Sequence, residues 1–88
     1  MFDLVQRAID TAVTRGAAYA ELGLNDKALA DYDMAVSKQD IPEAHNNRGN
    51  LLNIMGRIDD ARAAYAKAIE LRPDYVDAQL NLAFCELG

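Results

Sequence analysis

Cysteine is almost missing from this chain: Cys85 stands alone, so no internal disulfide staples the fold. A reducing compartment suits such a sequence, and a cytoplasmic location is the expectation. Histidine is equally scarce. His45 has no second His, Cys or carboxylate at ligand spacing, so no metal site is expected. No glycine-rich phosphate loop is present and no base lies near Cys85, so neither a cofactor nor an enzyme activity is expected. Long apolar runs are absent too; none approaches the roughly 18 residues a membrane helix needs. The opening Met-Phe-Asp-Leu-Val-Gln-Arg carries an acid at its third position, which argues against a secretory signal. Positive charge is in short supply, with 9 Lys and Arg against 14 Asp and Glu, a net charge of −5. That balance excludes the basic footprint of a nucleic-acid or anionic-membrane binder and leaves a neutral or basic protein partner.

Proline is rare as well, and its two positions are informative. Pro42 and Pro73 both fall between periodic segments, where interior helix positions would reject them. Gly23 and Gly56 follow apolar segments, as left-handed helix ends do. Strand-like alternation is absent, and Ala, Leu, Glu, Arg and Lys dominate between these marks. Five helices are predicted, at about 3–22, 26–38, 42–55, 59–71 and 74–87. Asp3 with Gln6 could form a capping box for the first, Asn25 or Asp26 caps the second, and Asp59 the fourth. Pro42 takes a first-turn position in the third, and Pro73-Asp74 caps the fifth. Loops this short force antiparallel neighbours. At 51% apolar and 26% charged, 88 residues make one small domain whose core is marginal without stacking or association.

The chain also repeats itself. Arg15-Gly16, Tyr19, Gly23, Ala28, Tyr32 and Ala35 overlay Arg48-Gly49, Leu52, Gly56, Ala61, Tyr65 and Ala68, each pair 33 positions apart. Ala44 and Asn47 recur 34 positions on as Ala78 and Asn81. Small residues where helices cross let backbones approach, and a ring from the partner helix fills the adjoining gap. On these residues, 42–75 resembles one complete tetratricopeptide (TPR) repeat, and 9–41 matches the same pattern with Asp40 in the place of Pro73. The stretch 76–88 is a partial third repeat or capping helix. Phe84-Cys85-Glu86-Leu87-Gly88 also resembles Tyr19-Ala20-Glu21-Leu22-Gly23, but the matches at Ala78 and Asn81 favour the 34-residue offset. The pattern stops in mid-unit at Gly88, as a piece of a longer array would. The resemblance implies an all-α, right-handed superhelical solenoid of helix hairpins.

It also implies where binding happens. In TPR proteins the first helix of each unit lines a concave face that holds peptides or partner helices. The corresponding positions are Asp10, Val13, Thr14, Ala17, Ala20 and Glu21, then Glu43, Asn46, Asn47, Asn50 and Asn53, then Asp77, Leu80, Asn81 and Phe84. Asn46, Asn50 and Asn53 share one helical face, and each carboxamide offers a donor and an acceptor to a peptide backbone. Asparagine is a mediocre helix former, so four on one helix stand out, although a solvated face also tolerates them. Asn47 and Asn81 match a family position that often bonds ligand backbone. The cations of a carboxylate-binding clamp are missing, since their places hold Val13, Asn46, Asp77 and Asn81. The acids Asp10, Glu21, Glu43 and Asp77 point to a neutral or basic peptide.

Other conspicuous residues have structural explanations. Arg15 and Arg48 recur at one place, where a stem packs along a helix and its head pairs with an acid. His45 and the tyrosines Tyr19, Tyr32 and Tyr65 hold packing positions, and Cys85 is a small apolar filler. Asp59-Asp60 and Asp31/Asp33 suit helix starts and solvated faces. Two functions compete. One is a non-enzymatic scaffold that binds a peptide in its groove. The other is a module that homo-oligomerises through its apolar last helix, by way of Leu80, Leu82, Phe84 and Leu87.

Overall fold

Strong helix formers fill every segment between the glycine and proline marks, and five helices result. The computed structural model describes the backbone of residues 2–87 and the side chains of residues 4–87. The helices are α1 (Phe2–Glu21), α2 (Asn25–Lys38), α3 (Pro42–Ile54), α4 (Ile58–Leu71) and α5 (Val76–Leu87). No strand occurs among the described residues. The architecture is an all-α helical-repeat solenoid.

The turns within the two hairpins are built alike. Gly23 and Gly56 have φ of +80° and +82°, the left-handed conformation that a side chain would strain. Gly23 N–H donates to Ala20 O at 3.0 Å and Leu24 N–H to Tyr19 O at 2.8 Å. Gly56 N–H donates to Asn53 O at 3.0 Å and Arg57 N–H to Leu52 O at 2.9 Å. This is the paired Schellman closure, and it satisfies the last carbonyls of α1 and α3. The residue that completes each closure also starts the next helix: Ala28 N–H donates to Leu24 O and Ala61 N–H to Arg57 O. That sharing corrects the predicted caps. Leu24 and Arg57 hold the N-cap positions with no side-chain capping bond, so Asn25, Asp26 and Asp59 all lie inside their helices. Pro42 does occupy the first turn of α3. The fifth helix begins at Val76, two residues later than expected, and Gln79 Nε2 reaches back to Pro73 O at 2.6 Å. The Asp3 capping box lies outside the described side chains.

The core runs along the array as three adjoining clusters. Ile9, Ala12, Ala35 and Ala44 join the first three helices. Ala28, Tyr32 and Leu51 continue the core with Tyr19 and Leu29. Leu52, Ala61, Ala64, Tyr65 and Cys85 extend it to α5, with Leu82 packed against them. Eight of the fourteen buried hydrophobics among the described residues are alanines, so backbones approach closely and few large side chains are needed to fill the gaps. Ile9, Leu51, Leu52 and Tyr65 are the large ones fully buried, each worth roughly 1.5–3 kcal/mol of burial.

The small crossing residues act as the repeat suggests. A Cβ on Gly16 would lie 2.8 Å from Tyr32 Cε1, and one on Gly49 would lie 2.6 Å from Tyr65 Cε1. Each tyrosine ring therefore sits directly over a bare backbone. The Cα extents of 42 × 29 × 16 Å fit this arrangement. Their thinnest dimension matches two helix layers spaced about 8–10 Å apart.

Candidate functional site

The neighbours of each helix define which face is inner. The first helices of successive units touch, α1 with α3 and α3 with α5. The second helices, α2 and α4, make no such contact among the described residues. A stack whose first helices crowd while its second helices splay is concave on the first-helix side. That side carries the predicted groove residues.

On α1, Asp10 is exposed and accepts a hydrogen bond from Gln6 Nε2 at 3.0 Å. Asp10, Val13 and Thr14 face Ile41, Glu43 and Ala44 across a cleft of about 380 Å³, with Gln6 at its end. Val13 is half-buried against Ala44 and its neighbours, so it forms the seam between units. Ala17 and Ala20 are half-buried, and Glu21 is exposed.

The asparagines of α3 divide into engaged and open ones. Asn46 is buried, and its Oδ1 accepts from Asn81 Nδ2 at 3.1 Å across the gap to α5. Asn50 Oδ1 accepts the Tyr65 hydroxyl at 2.6 Å. Asn53 Oδ1 lies 4.0 Å from the Cys85 thiol. Asn47 makes none of these bonds. Since no buried side-chain polar atom lacks a partner among the described residues, its carboxamide meets solvent. The row is therefore not four equivalent free amides: Asn46 and Asn81 are committed to each other, while Asn50, an exposed residue, engages its oxygen with Tyr65.

Charge on this face is also partly consumed. Arg72 Nη2 lies 2.6 Å from Glu43 Oε2, and its guanidinium stacks 5.0 Å from the Tyr75 ring centroid. Burial pushes the Glu43 carboxyl up, but the backbone at the start of α3 and Arg72 outweigh it, so the net shift is downward. Burial, with the charges of Glu43 and Asp77, holds the Tyr75 phenol above its ordinary range. Burial also drives the Tyr65 phenol up to about 12. Both rings remain neutral at physiological pH.

On α5, Asp77 is exposed, as are Leu80, Phe84 and Leu87, which lie in one row at helical spacing. Leu82 does not belong to that row; it packs onto the Leu52–Tyr65–Cys85 cluster. Cys85 is buried. His45 is buried with Nε2 3.2 Å from Asp40 Oδ1. Arg15 grips Asp31 with two bonds, of 2.9 and 2.8 Å, and Arg48 reaches Asp33 at 2.6 Å. Among the described residues no group of three His, Cys, Asp or Glu is placed to hold a metal, and no helix is long and apolar enough to cross a membrane.

Four residues of this face are not among the predicted groove positions. Gln6 stands one helical turn before Asp10, a spacing that could have revealed it. Ile41, Arg72 and Tyr75 flank the two prolines, and no local pattern marks them as facing inward.

Residues 42–75 match the family model of the tetratricopeptide repeat. Over 63 residues the chain is 38% identical to the Homo sapiens protein O-mannosyl-transferase TMTC2, a stretch that is 70% of this chain and 8% of that protein. The fold is similar to the crystal structure of a thermophilic TPR protein from Thermus thermophilus, with a TM-score of 0.82 and 39% identity. That match covers 88% of this chain and 40% of the other. The chain thus spans well under half of the length of either relative.

Proposed function

We propose, from the premise that this chain is a tetratricopeptide-repeat protein, that it is a non-enzymatic scaffold holding a peptide or partner helix against its inner face. Repeats of this family generally mediate protein–protein interaction. In this reading the units are 9–41, 42–75 and a partial third at 76–88. One observation carries the assignment: the Asn47 carboxamide stands open on α3, between the exposed Asp10 of α1 and the exposed Leu80 and Phe84 of α5. Open carboxamides pair with any peptide backbone, while acids and apolar side chains on either side select what the backbone carries. The exposed acids Asp10, Glu21 and Asp77 favour a neutral or basic partner.

The test is Asn47→Ala, titrated by fluorescence anisotropy against peptides selected from a random library. Loss of one net hydrogen bond, about 0.5–1.5 kcal/mol, predicts binding weakened about two- to tenfold with the urea midpoint unchanged. Undiminished affinity would remove the inner face from consideration. Asn81→Ala is a poorer probe, because it strands the buried Asn46 oxygen and destabilises the fold itself.

A second reading, self-association, rests on the exposed row of α5. The positions equivalent to Leu80 in the earlier units are Val13 and Asn46, both covered by the following first helix, whereas Leu80 is 51% exposed. If a second copy supplies that cover, light scattering after gel filtration reports a dimer or larger species, and Leu80→Glu with Phe84→Glu restores the monomer. A monomeric wild-type chain across the accessible concentrations eliminates this reading.

A further inference from the structure

We propose that the cleft between α1 and α3 receives the side chain of a lysine or arginine from the bound peptide. This rests on the inner face being the binding surface and names the side chain that the surface selects. The cleft has two chemically distinct parts. Val13, Ile41 and Ala44 give it an apolar floor, and Asp10, Thr14 and Glu43 stand around it with Gln6 at one end. Its volume of about 380 Å³ accommodates one long side chain. Lysine and arginine combine an aliphatic stem with a charged tip, so the stem lies on the floor while the tip stays at the wet, acidic rim.

The charge arrangement favours a cation specifically. Among the described residues no lysine, arginine or histidine lines the cleft. Among the described residues Asp10 accepts one hydrogen bond, from the neutral Gln6 amide, and forms no ion pair. Arg15 flanks Asp10 on the outer side of α1, but its guanidinium is held by Asp31 on α2. Glu43 gives Oε2 to Arg72, which weakens its contribution, and Asp10 is therefore the principal anion. An acidic side chain would meet Asp10 in repulsion. A purely apolar one would fill the floor and leave the acidic rim unused.

The experiment selects random peptides on phage against the intact chain and maps the winners by 15N chemical-shift perturbation. Enrichment of lysine or arginine at one peptide position is expected, with the backbone amides of Asp10, Thr14 and Ala44 responding. Replacing that lysine with norleucine weakens binding about two- to fivefold, the worth of an exposed ion pair. Asp10→Asn, at an exposed position, abolishes the lysine–norleucine difference, and raised salt narrows it. Peptides that bind the inner face yet treat lysine and norleucine alike would overturn the cleft assignment and leave the scaffold reading standing. Peptides that map elsewhere, or a selection without winners, would overturn both.

Discussion

The two complete hairpins share a frame and differ in what fastens it. In α1/α2 and in α3/α4 alike, a tyrosine ring covers a bare glycine and a Schellman turn closes the hairpin. The fastenings diverge. Arg15 reaches Asp31 on its own hairpin partner, whereas Arg48, one repeat later, reaches back to Asp33 on the preceding hairpin. The cause lies in the sequence: the position equivalent to Asp31 is Ala64, so Arg48 finds no acid at that place in its own unit. The tyrosines differ in the same way. Tyr65 anchors its hydroxyl on Asn50, but the equivalent of Asn50 in the first hairpin is Ala17, and Tyr32 has no such partner. Recurrent residues set the backbone path, and the variable ones decide whether a polar group ties within a unit or between units.

The glycines offer the largest effect with which to sharpen that contrast. Gly49→Ala drives a methyl against a ring fixed at its hydroxyl, with contacts of 2.6 and 2.7 Å, and the ring has little room to move. Overpacking of this kind costs about 1–3 kcal/mol even after the helix gains from alanine. Gly16→Ala meets Tyr32 at 2.8 and 3.0 Å, and this ring is not anchored by an asparagine, so the loss should stay below about 1 kcal/mol. Urea unfolding of both variants checks the order; equal losses would show that the hydroxyl anchor is immaterial.

The arginine contrast yields a smaller effect, visible through pH. The hydrogen bonds from Arg15, followed by its charge, hold the Asp31 carboxyl below its ordinary 3.8 against the opposing effect of burial. A carboxyl whose folded pKa is depressed adds stability above its unfolded value and surrenders it as pH falls through the folded one. The stability gap between the wild type and Asp31→Asn should thus be full near neutral pH and shrink below about pH 4. Urea midpoints along an acid series measure it. A gap that persists undiminished in acid would mean that packing, not charge, makes Asp31 useful. The pair is half-open to solvent at Arg15, so this is the smaller of the two effects.

How much of the molecule is legible in its sequence follows from the range of each interaction. The five helices, the left-handed glycines and the tyrosine-over-glycine crossings recur within a unit, so their spacing shows twice in one chain. The caps escape such a reading because Leu24 and Arg57 serve two helices at once through backbone groups alone, leaving Asn25, Asp26 and Asp59 nothing to cap. The groove residues can be placed on a face, but not sorted into engaged and open. Asn46 is satisfied by Asn81, 35 residues away, and Asn50 by Tyr65, 15 away on another helix. Helical periodicity reports which side a residue takes and is silent on what stands opposite. Leu82 illustrates the same limit: it shares an apolar helix with Leu80 and Phe84, yet turns into the core.

The shared turns have a mechanical consequence. Each hairpin is locked at its elbow by two backbone bonds and by a residue that ends one helix while beginning the next, which leaves no slack in the connection. Packing between hairpins is sparser than packing within them. The segments 39–41 and 72–75 between hairpins are therefore where bending the array would cost least. The cleft between α1 and α3 and the Asn46–Asn81 bridge both straddle such a junction. If a guest were held there as proposed, it would act on the curvature of the whole spring, and the pitch of the array would become a quantity that binding can set.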